Sequence, residues 1–353
     1  MDFTFTEDQL MFHDSVKAFL TNEVTPERIR ELWTLESGRS DELWGQLAEL
    51  GLTAMTVPEK LGGLGMSELD FILMAEECGY VALPEPLVQN VMVGVPLLND
   101  LGDDQKHLKE EWLPKVAGGE ARVAVGHPAN LLVADAHTAD LLLLPHGNEV
   151  HAVTRGRVQL TASESVDPSR KLFTVEWTPS AESLVADEES GKVIWEAAFN
   201  RGALAVAAQQ LGLARRIVDL AVDYTFERKQ FGKPIGSFQA VKHLMANVAV
   251  QVEFAKAPLY RAAYAVAEGL PSQSQNVSHA KIVTSEAALL AAKNGIQAHG
   301  AMGYTWEVDL QIFMKRAWSL DAVYGGRGLH KQRVKQFILS DDAPLGAGAT
   351  FAA

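Results

Sequence analysis

The sequence predicts a mainly α-helical chain with one small β domain: an N-terminal helical domain, a middle β domain and a C-terminal four-helix bundle. Three observations predict it. From Phe5 to about Leu113, apolar residues recur at helical spacing. From about Ala121 to Ser183 the text changes to short alternating or β-branched runs broken by Gly, Pro and Asn. From about Gly191 long helical patterns return, joined by short Gly-rich turns, which reads as an antiparallel bundle. The expected boundaries are 1–118, 119–188 and 189–340, with 341–353 as a flexible tail.

The elements follow in order. Thr6 is placed to cap a first helix whose stripe is Leu10, Phe12, Val16, Phe19 and Leu20. Ser40 caps a second helix, "SDELWGQLAELG", and Gly51 stops it. "VPEKLGGLGMS" is loop by its Pro and Gly pairs. "SELDFILMAEECGYV" is a third helix, and a fourth helical stretch runs from Pro86 to Gly119. In the β block, "RVAVGHP", "ADLLLLPHG", "NEVHAVTRG", "RVQLTASES" and "KLFTVEWTP" are the strands. That block spans roughly 60 residues, near the lower limit for an independent core. One long helix then covers most of Val193–Phe231. A second starts at Ser237 as a possible N-cap, a third runs from Ser274 to Gly300, and a fourth and a short fifth follow.

Composition excludes several classes. A formal net charge of −14 argues against nucleic acid or an anionic membrane surface as the main partner. The single cysteine, Cys78, permits no intrachain disulfide and no cysteine metal cluster, which suits a reducing cytoplasm. "MDFTFTEDQLMF" has no basic region before an apolar core, so no signal peptide is expected. No apolar run reaches about 18 residues, so no membrane span is expected. The ten histidines are scattered, none pairs with another at metal spacing, and no metal site is expected. G-x-S-x-G, H-E-x-x-H, the P-loop and a helix-opening G-x-G-x-x-G are all missing.

Two segments carry the functional signal. In "FERKQFGKPIGSFQAVKH", Arg228, Lys229 and Lys233 crowd one connection before a helix N-terminus, a fair anion site. In "QAHGAMGYTWEVDLQIFMKRA", Gly300 and Gly303 leave the backbone open to a ligand. Taken singly, each reads more readily as a solvated basic loop or a Gly-rich turn between packed helices. A third stretch, "AVYGGRGLH", looks at first like a phosphate cradle.

In this order and at this spacing the segments closely resemble the acyl-CoA dehydrogenase family. Its C-terminal bundle carries R-x-x-F-G…FQ and then Q-x-x-G-G-x-G-Y. Here these read Arg228, Phe231, Gly232, Phe238 and Gln239, then Gln297, Gly300, Gly303 and Tyr304, with Ala301 in place of the second Gly. The N-terminal "LWGQLAELGL…VPEKLGGLGMS…AEECG" is similar too. The resemblance implies a barrel-like middle domain, FAD as cofactor, and an acyl-CoA substrate oxidised to the 2-enoyl-CoA. It implies a carboxylate base for the α-proton and an electron-transfer flavoprotein as acceptor. It assigns Arg228, Phe231, Phe238, Gln239, Gln297, Gly300 and Ala301 to FAD, and Arg327 is expected with them.

The chain departs from the family at the chemistry. The usual base sits in a Tyr-Glu-Gly-Thr stretch; here Tyr324 and Gly326 are kept, Gly325 replaces Glu and Arg327 replaces Thr. The other known base position, counted back from Gly232, is Gly202. Glu196 and Asp321 are weak substitutes; six residues turn a helix by about 240°, which aims Glu196 away from the Gly202 face. "VAVGHPANLL" replaces the family's (T/N)-E-P-x-x-G-S stretch, which holds the flavin ring. In the family's dimers the ADP end of each FAD is held by the neighbour, so this chain keeps what serves a neighbour's flavin. The resemblance therefore points to the base-lacking subunit of a heterotetrameric acyl-CoA dehydrogenase of the steroid side-chain type, with a sister subunit as partner. Two alternatives stay open: a self-sufficient homotetramer with a relocated base, and a non-catalytic scaffold subunit.

Overall fold

The computed structural model describes residues 4–341 and residue 343. The expected tail at 341–353 lies almost wholly outside them. Two compact units divide the chain: residues up to Met74 with Leu83–Ala205, and Ala75–Ala82 with residues from Val206 onward.

The first unit opens as its sequence dictates. Helix α1 (Glu7–Glu23) starts in a capping box: Thr6 Oγ1 accepts the Gln9 amide at 3.2 Å and Gln9 Oε1 accepts the Thr6 amide at 2.8 Å. Helix α2 (Pro26–Trp33) is an addition to the expected set, although Thr25 at N-cap and Pro26 at N1 are its signature. Helix α3 (Asp41–Glu49) has Ser40 as N-cap and ends before Gly51, whose φ of +78° favours glycine. Helix α4 (Glu68–Tyr80) contributes residues to both units. The expected fourth helical stretch is broken into α5 (Leu87–Gln89), a π turn over Asn90–Gly94, α6 (Val95–Asp100) and α7 (Lys106–Ala117). The π turn has a use: buried Asn90 Oδ1 accepts the Val123 amide at 2.8 Å and ties the helices to the first strand.

The β region holds β1 (Val123–Val125), β2 (Val133–Ala134), β3 (Leu141–His146), β4 (Glu149–Thr154), β5 (Gln159–Ser163), β6 (Leu172–Glu176) and β7 (Leu184–Ala186). They form two open sheets, ordered β1-β3-β4-β7 and β2-β6-β5, and no closed barrel among the described residues. The barrel-like domain expected from the resemblance is thus a pair of sheets. Only β1–β3 is parallel; the other pairs of these two sheets are antiparallel. The run "LLLLP" becomes β3, with Leu141–Leu144 all buried, as befits a strand covered on both faces. Leu142, Leu144, Val153 and Val158 pack with Phe173, Val175 and Trp177 into the core of this small domain.

The bundle begins in α8 (Glu188–Glu227), a single 40-residue helix shared by the two units. A short hairpin, β8 (Lys229–Gln230) with β9 (Lys233–Pro234), leads to α9 (Gln239–Ala267). Then come α10 (Gln273–His299), α11 (Leu310–Asp321) and α12 (Arg327–Ile338). Ser237 does not cap α9: its hydroxyl donates to Pro234 O inside a 3₁₀ turn, and Phe238 stands at N-cap without a side-chain cap. In the second unit the end of α4 lies directly on α8. A Cβ at Gly212 would fall 1.9 Å from Glu76 O and 2.6 Å from Tyr80 N. Beside this contact, Arg215 pairs with Glu76 and Glu77, and Tyr260 Oη donates to Glu76 Oε2 at 3.1 Å.

Because both obstacles at Gly212 are backbone atoms, Gly212→Ala forces α4 off α8. We expect it to destabilise the chain by about 1–3 kcal/mol, read as a lower calorimetric Tm, whereas Gly45→Ala, where a Cβ meets nothing within 4 Å, does not.

Candidate functional site

Both sequence motifs lie at one end of the bundle in the second unit. The Arg228 amide donates to Tyr224 O at 2.9 Å as α8 ends. Phe231 (φ +54°) and Gly232 (φ +78°) form the two-residue turn of the β8–β9 hairpin, both in the left-handed region that primed turns require. The turn drives the Phe231 ring into solvent, where it is 92% exposed. Its ring meets Phe238 edge-on at 6.1 Å, and Lys233 Nζ lies 4.5 Å from the Phe238 centroid. Helix α9 then starts with no side-chain cap and no acidic residue in its first turn. The Val241 and Lys242 amides turn back to Phe238 O, and the positive dipole end of the helix lies beside the cations of the hairpin.

The second motif reaches the same place from α10. His299 stacks on Tyr224 with centroids 4.2 Å apart, and Ala298 packs with Ala221 and Met245. Asn294 Nδ2 donates to Leu244 O at 3.0 Å. Burial holds the His299 imidazole below its usual pKa, and its Nδ1–H donates to Gly295 O at 2.8 Å, so it is a neutral wedge. Gly300 (φ +63°, ψ −136°) ends α10 in a conformation that only glycine adopts freely, and a Cβ there would meet nothing within 4 Å. Arg228, Phe231, Gln239, Gln297, Gly300 and Ala301 are all exposed, with Phe238 half-buried among them. Cations, a helix N-terminus, a bare glycine and an uncovered aromatic ring make up this array. That chemistry suits an anionic dinucleotide: pyrophosphate at the positive groups and an aromatic base against a ring.

The loop at 322–326 is elsewhere. It follows α11 and is clamped to the N-terminal half of α10. Buried Lys281 donates from Nζ to Asp321 O at 2.9 Å. His330 Nε2–H donates to Tyr324 O at 2.9 Å, and its Nδ1 accepts from Ser278 Oγ at 3.1 Å. Tyr324 is fully buried at φ +52°. Burial pushes the Lys281 ammonium down to about 8 and His330 down to about 4. From Lys281 to Gln297 is 16 positions along α10, or about 24 Å at helical rise. One chain therefore carries the two features at opposite ends of one helix. Arg327 belongs to the loop end: its Nε is 3.5 Å from Asp321 Oδ1, and it is not among the residues gathered around Arg228.

The positions expected for a base do not supply one. Gly325 has φ +88°, a left-handed backbone that costs an L residue roughly 1–2 kcal/mol. Gly202 is buried within α8. Glu196 is exposed to solvent, and the Asp321 carboxylate faces Arg327. The 123–132 stretch, where the family's flavin-ring segment is expected, carries His127 on its buried side. His127 is buried against α8 within the first unit, its Nε2–H donating to Trp195 O at 2.8 Å and its ring edge-on to Trp195 at 5.4 Å.

Sequence reasoning missed the supports: Tyr224 and His299, which join the two motifs, and Lys281 and His330, which hold the loop. Single polar residues on apolar helix faces carry no signal until the partner helix is known.

With this geometry in hand, comparison places the chain among known proteins. Residues 6–120 match the model of the acyl-CoA dehydrogenase N-terminal domain, and residues 189–339 match that of the C-terminal domain. The chain is 31% identical over 312 residues to acyl-CoA dehydrogenase IpdE2 of Mycobacterium tuberculosis, covering 88% of this chain and 91% of that one. The fold is similar to that of butyryl-CoA dehydrogenase from Megasphaera elsdenii, with TM-score 0.85 and 23% identity over 96% of this chain and 100% of that one. It is also similar to a chain of the ChsE4–ChsE5 complex from Mycobacterium tuberculosis, with TM-score 0.84 and 24% identity over 98% of this chain and all of that one. This chain belongs to the acyl-CoA dehydrogenase family, oxidoreductases whose cofactor is FAD. No helix among the described residues is long and apolar enough to cross a membrane.

The buried His330 gives the loop a pH signature. Its folded pKa of about 4 lies below the ordinary 6.5, so between those values the unfolded chain takes up a proton that the folded chain does not. Stability from this group is full above pH 6.5 and is lost as pH falls toward 4, by up to about 3 kcal/mol. Urea unfolding across that range should show a steeper loss for the wild type than for His330→Gln.

Proposed function

We propose that this chain is the base-lacking subunit of a heteromeric acyl-CoA dehydrogenase and holds the ADP end of an FAD whose ring and base belong to a sister chain. One observation carries this reading: the open array around Arg228 is intact, whereas the loop that should present a carboxylate presents Gly325 on a left-handed backbone. The 24 Å estimate along α10 supports it, since features so far apart serve different ends of a dinucleotide or different dinucleotides. The fold also occurs in the ChsE4–ChsE5 complex, so it is compatible with two different chains assembling together.

In this assignment Arg228 and Lys233 neutralise pyrophosphate, and the uncapped start of α9 adds amides and dipole. Phe231 and Phe238 offer ring faces, and Gln239 and Gln297 offer amide donors and acceptors. Gly300 and Ala301 let the ligand approach the backbone. FAD, when bound, supplies hydride acceptance from the β-carbon of an acyl-CoA thioester. The α-proton goes to a carboxylate of the sister chain. Electrons leave to an electron-transfer flavoprotein. We assign the acyl group as bulky and steroid-derived, the substrate class that the resemblance to the steroid side-chain type implies. The setting is the cytoplasm.

The test is stoichiometry. Purified alone, the chain should carry substoichiometric FAD and turn over no acyl-CoA; with its sister chain, one FAD should be found per two chains. Arg228→Ala should weaken flavin retention in the pair about 10-fold, the worth of one charged hydrogen bond. Stoichiometric FAD and turnover by the lone chain would overturn the proposal. Full flavin occupancy in an Arg228→Ala pair would favour a scaffold role. A reconstituted pair that prefers short linear acyl-CoAs would remove the steroid assignment.

A further inference from the structure

A second site lies in the β region, in the first unit, and nothing in the dehydrogenase chemistry uses it. The text "PHGNEVH" makes the β3–β4 turn. Gly147 at φ +61° and Asn148 are its two central residues, with Gly at the position a type II′ turn needs. His146 and Glu149 are therefore directly opposed across the ladder. Strand alternation puts His151 on the same face of β4 as Glu149. Three ligand atoms converge: His146 Nδ1 is 3.0 Å from Glu149 Oε2, His151 Nε2 is 3.1 Å from the same oxygen, and all lie within 4.8 Å of one another.

The surroundings suit one tautomer. With Ser183 Oγ donating to Ser180 O at 3.0 Å, the same oxygen is placed to accept from His151 Nδ1, 2.9 Å away. In neutral imidazole that leaves the Nε2 lone pair facing a carboxylate lone pair. A cation between them satisfies both. The His151 side chain is only 3% exposed and Trp177 packs 5.0 Å from its ring, so the nitrogen cannot swing away. Ser183 on the far ring nitrogen takes the place that an outer-shell partner holds behind a metal-binding histidine. Glu188 steadies the turn by accepting the Asn148 amide at 3.1 Å.

We propose that His146, Glu149 and His151 bind a divalent transition metal ion of the zinc class, clipping the β3–β4 hairpin to β7 through Ser183. Tetrahedral zinc with bonds of about 2.0–2.2 Å sets neighbouring ligand atoms about 3.3 Å apart, close to the two short separations here. Two imidazoles and one carboxylate suit zinc and its neighbours over calcium or magnesium. The fourth position faces the exposed side of His146, 62% accessible, and takes water. The role is structural: the site holds strands of the first unit together.

The experiment uses the full chain, free of any histidine tag, stripped with EDTA and titrated calorimetrically with zinc chloride. One zinc per chain should bind. His146→Ala and Glu149→Gln should each weaken binding by at least the about 10–100-fold that loss of an outer-shell partner costs. His107→Ala, at an exposed histidine outside the cluster, should leave it unchanged. Cobalt(II) should give the visible bands of a tetrahedral site in the wild type and not in either variant. Zinc should raise the Tm of the wild type alone. Equal zinc affinity in wild type and both variants, or no saturable binding, overturns the proposal. Either variant, checked for native circular dichroism, suffices if the other misfolds.

Discussion

The C-terminal unit depends on one rigid object, the 27-residue helix α10. Its buried face is built from small residues: Ala280, Ala287, Ala288, Ala291 and Ala292 let α9, α11 and α12 close on it. Gly295 goes further, since a Cβ there would sit 2.9 Å from Ile217 and 3.2 Å from Leu310. A helix so enclosed cannot bend without losing packing on several sides. Whatever is attached to its two ends is held apart at a fixed distance. The N-terminal half holds the loop of Tyr324 and Gly325 through Ser278 and Lys281; the C-terminal end presents Gln297 and Gly300.

That spacing gives meaning to an uneven pattern of retained and altered residues. The groups around Arg228 at one end of the helix are solvent-open, cationic and aromatic. At the loop of Tyr324, and in the 123–132 stretch, individual side chains turn inward. His127 is turned onto Trp195, Tyr324 is wholly buried, and Asp321 faces Arg327. Two successive left-handed residues, Tyr324 and Gly325, and a buried histidine hydrogen-bonded to the first hold this loop.

Much of the fold was legible. Thr6, Ser40 and Gly51 mark helix ends because caps act locally, through side chains and amides a few residues apart. The same local logic predicted a cap at Ser237 and failed, because a 3₁₀ turn captured that hydroxyl. The break at Asn90 was invisible, since its cause is an amide 33 residues away. The histidines looked scattered for a related reason. A hairpin joins His146, Glu149 and His151 across a turn, and the order of residues along the chain does not show that convergence.

By itself the sequence determined the order helix, β, helix, the family, and the two glycines standing where a carboxylate is expected. Those are properties of spacing and identity along the chain. Only the tertiary structure decided which of these residues act together. It stacked His299 on Tyr224 to join two motifs separated by some seventy residues, at a ring distance of 4.2 Å. It set Arg327 beside Asp321 and away from Arg228, and it opened the expected barrel into two sheets. The physical reason is that packing on α10 and strand register are long-range: they depend on which faces meet, and spacing along a chain does not carry that information.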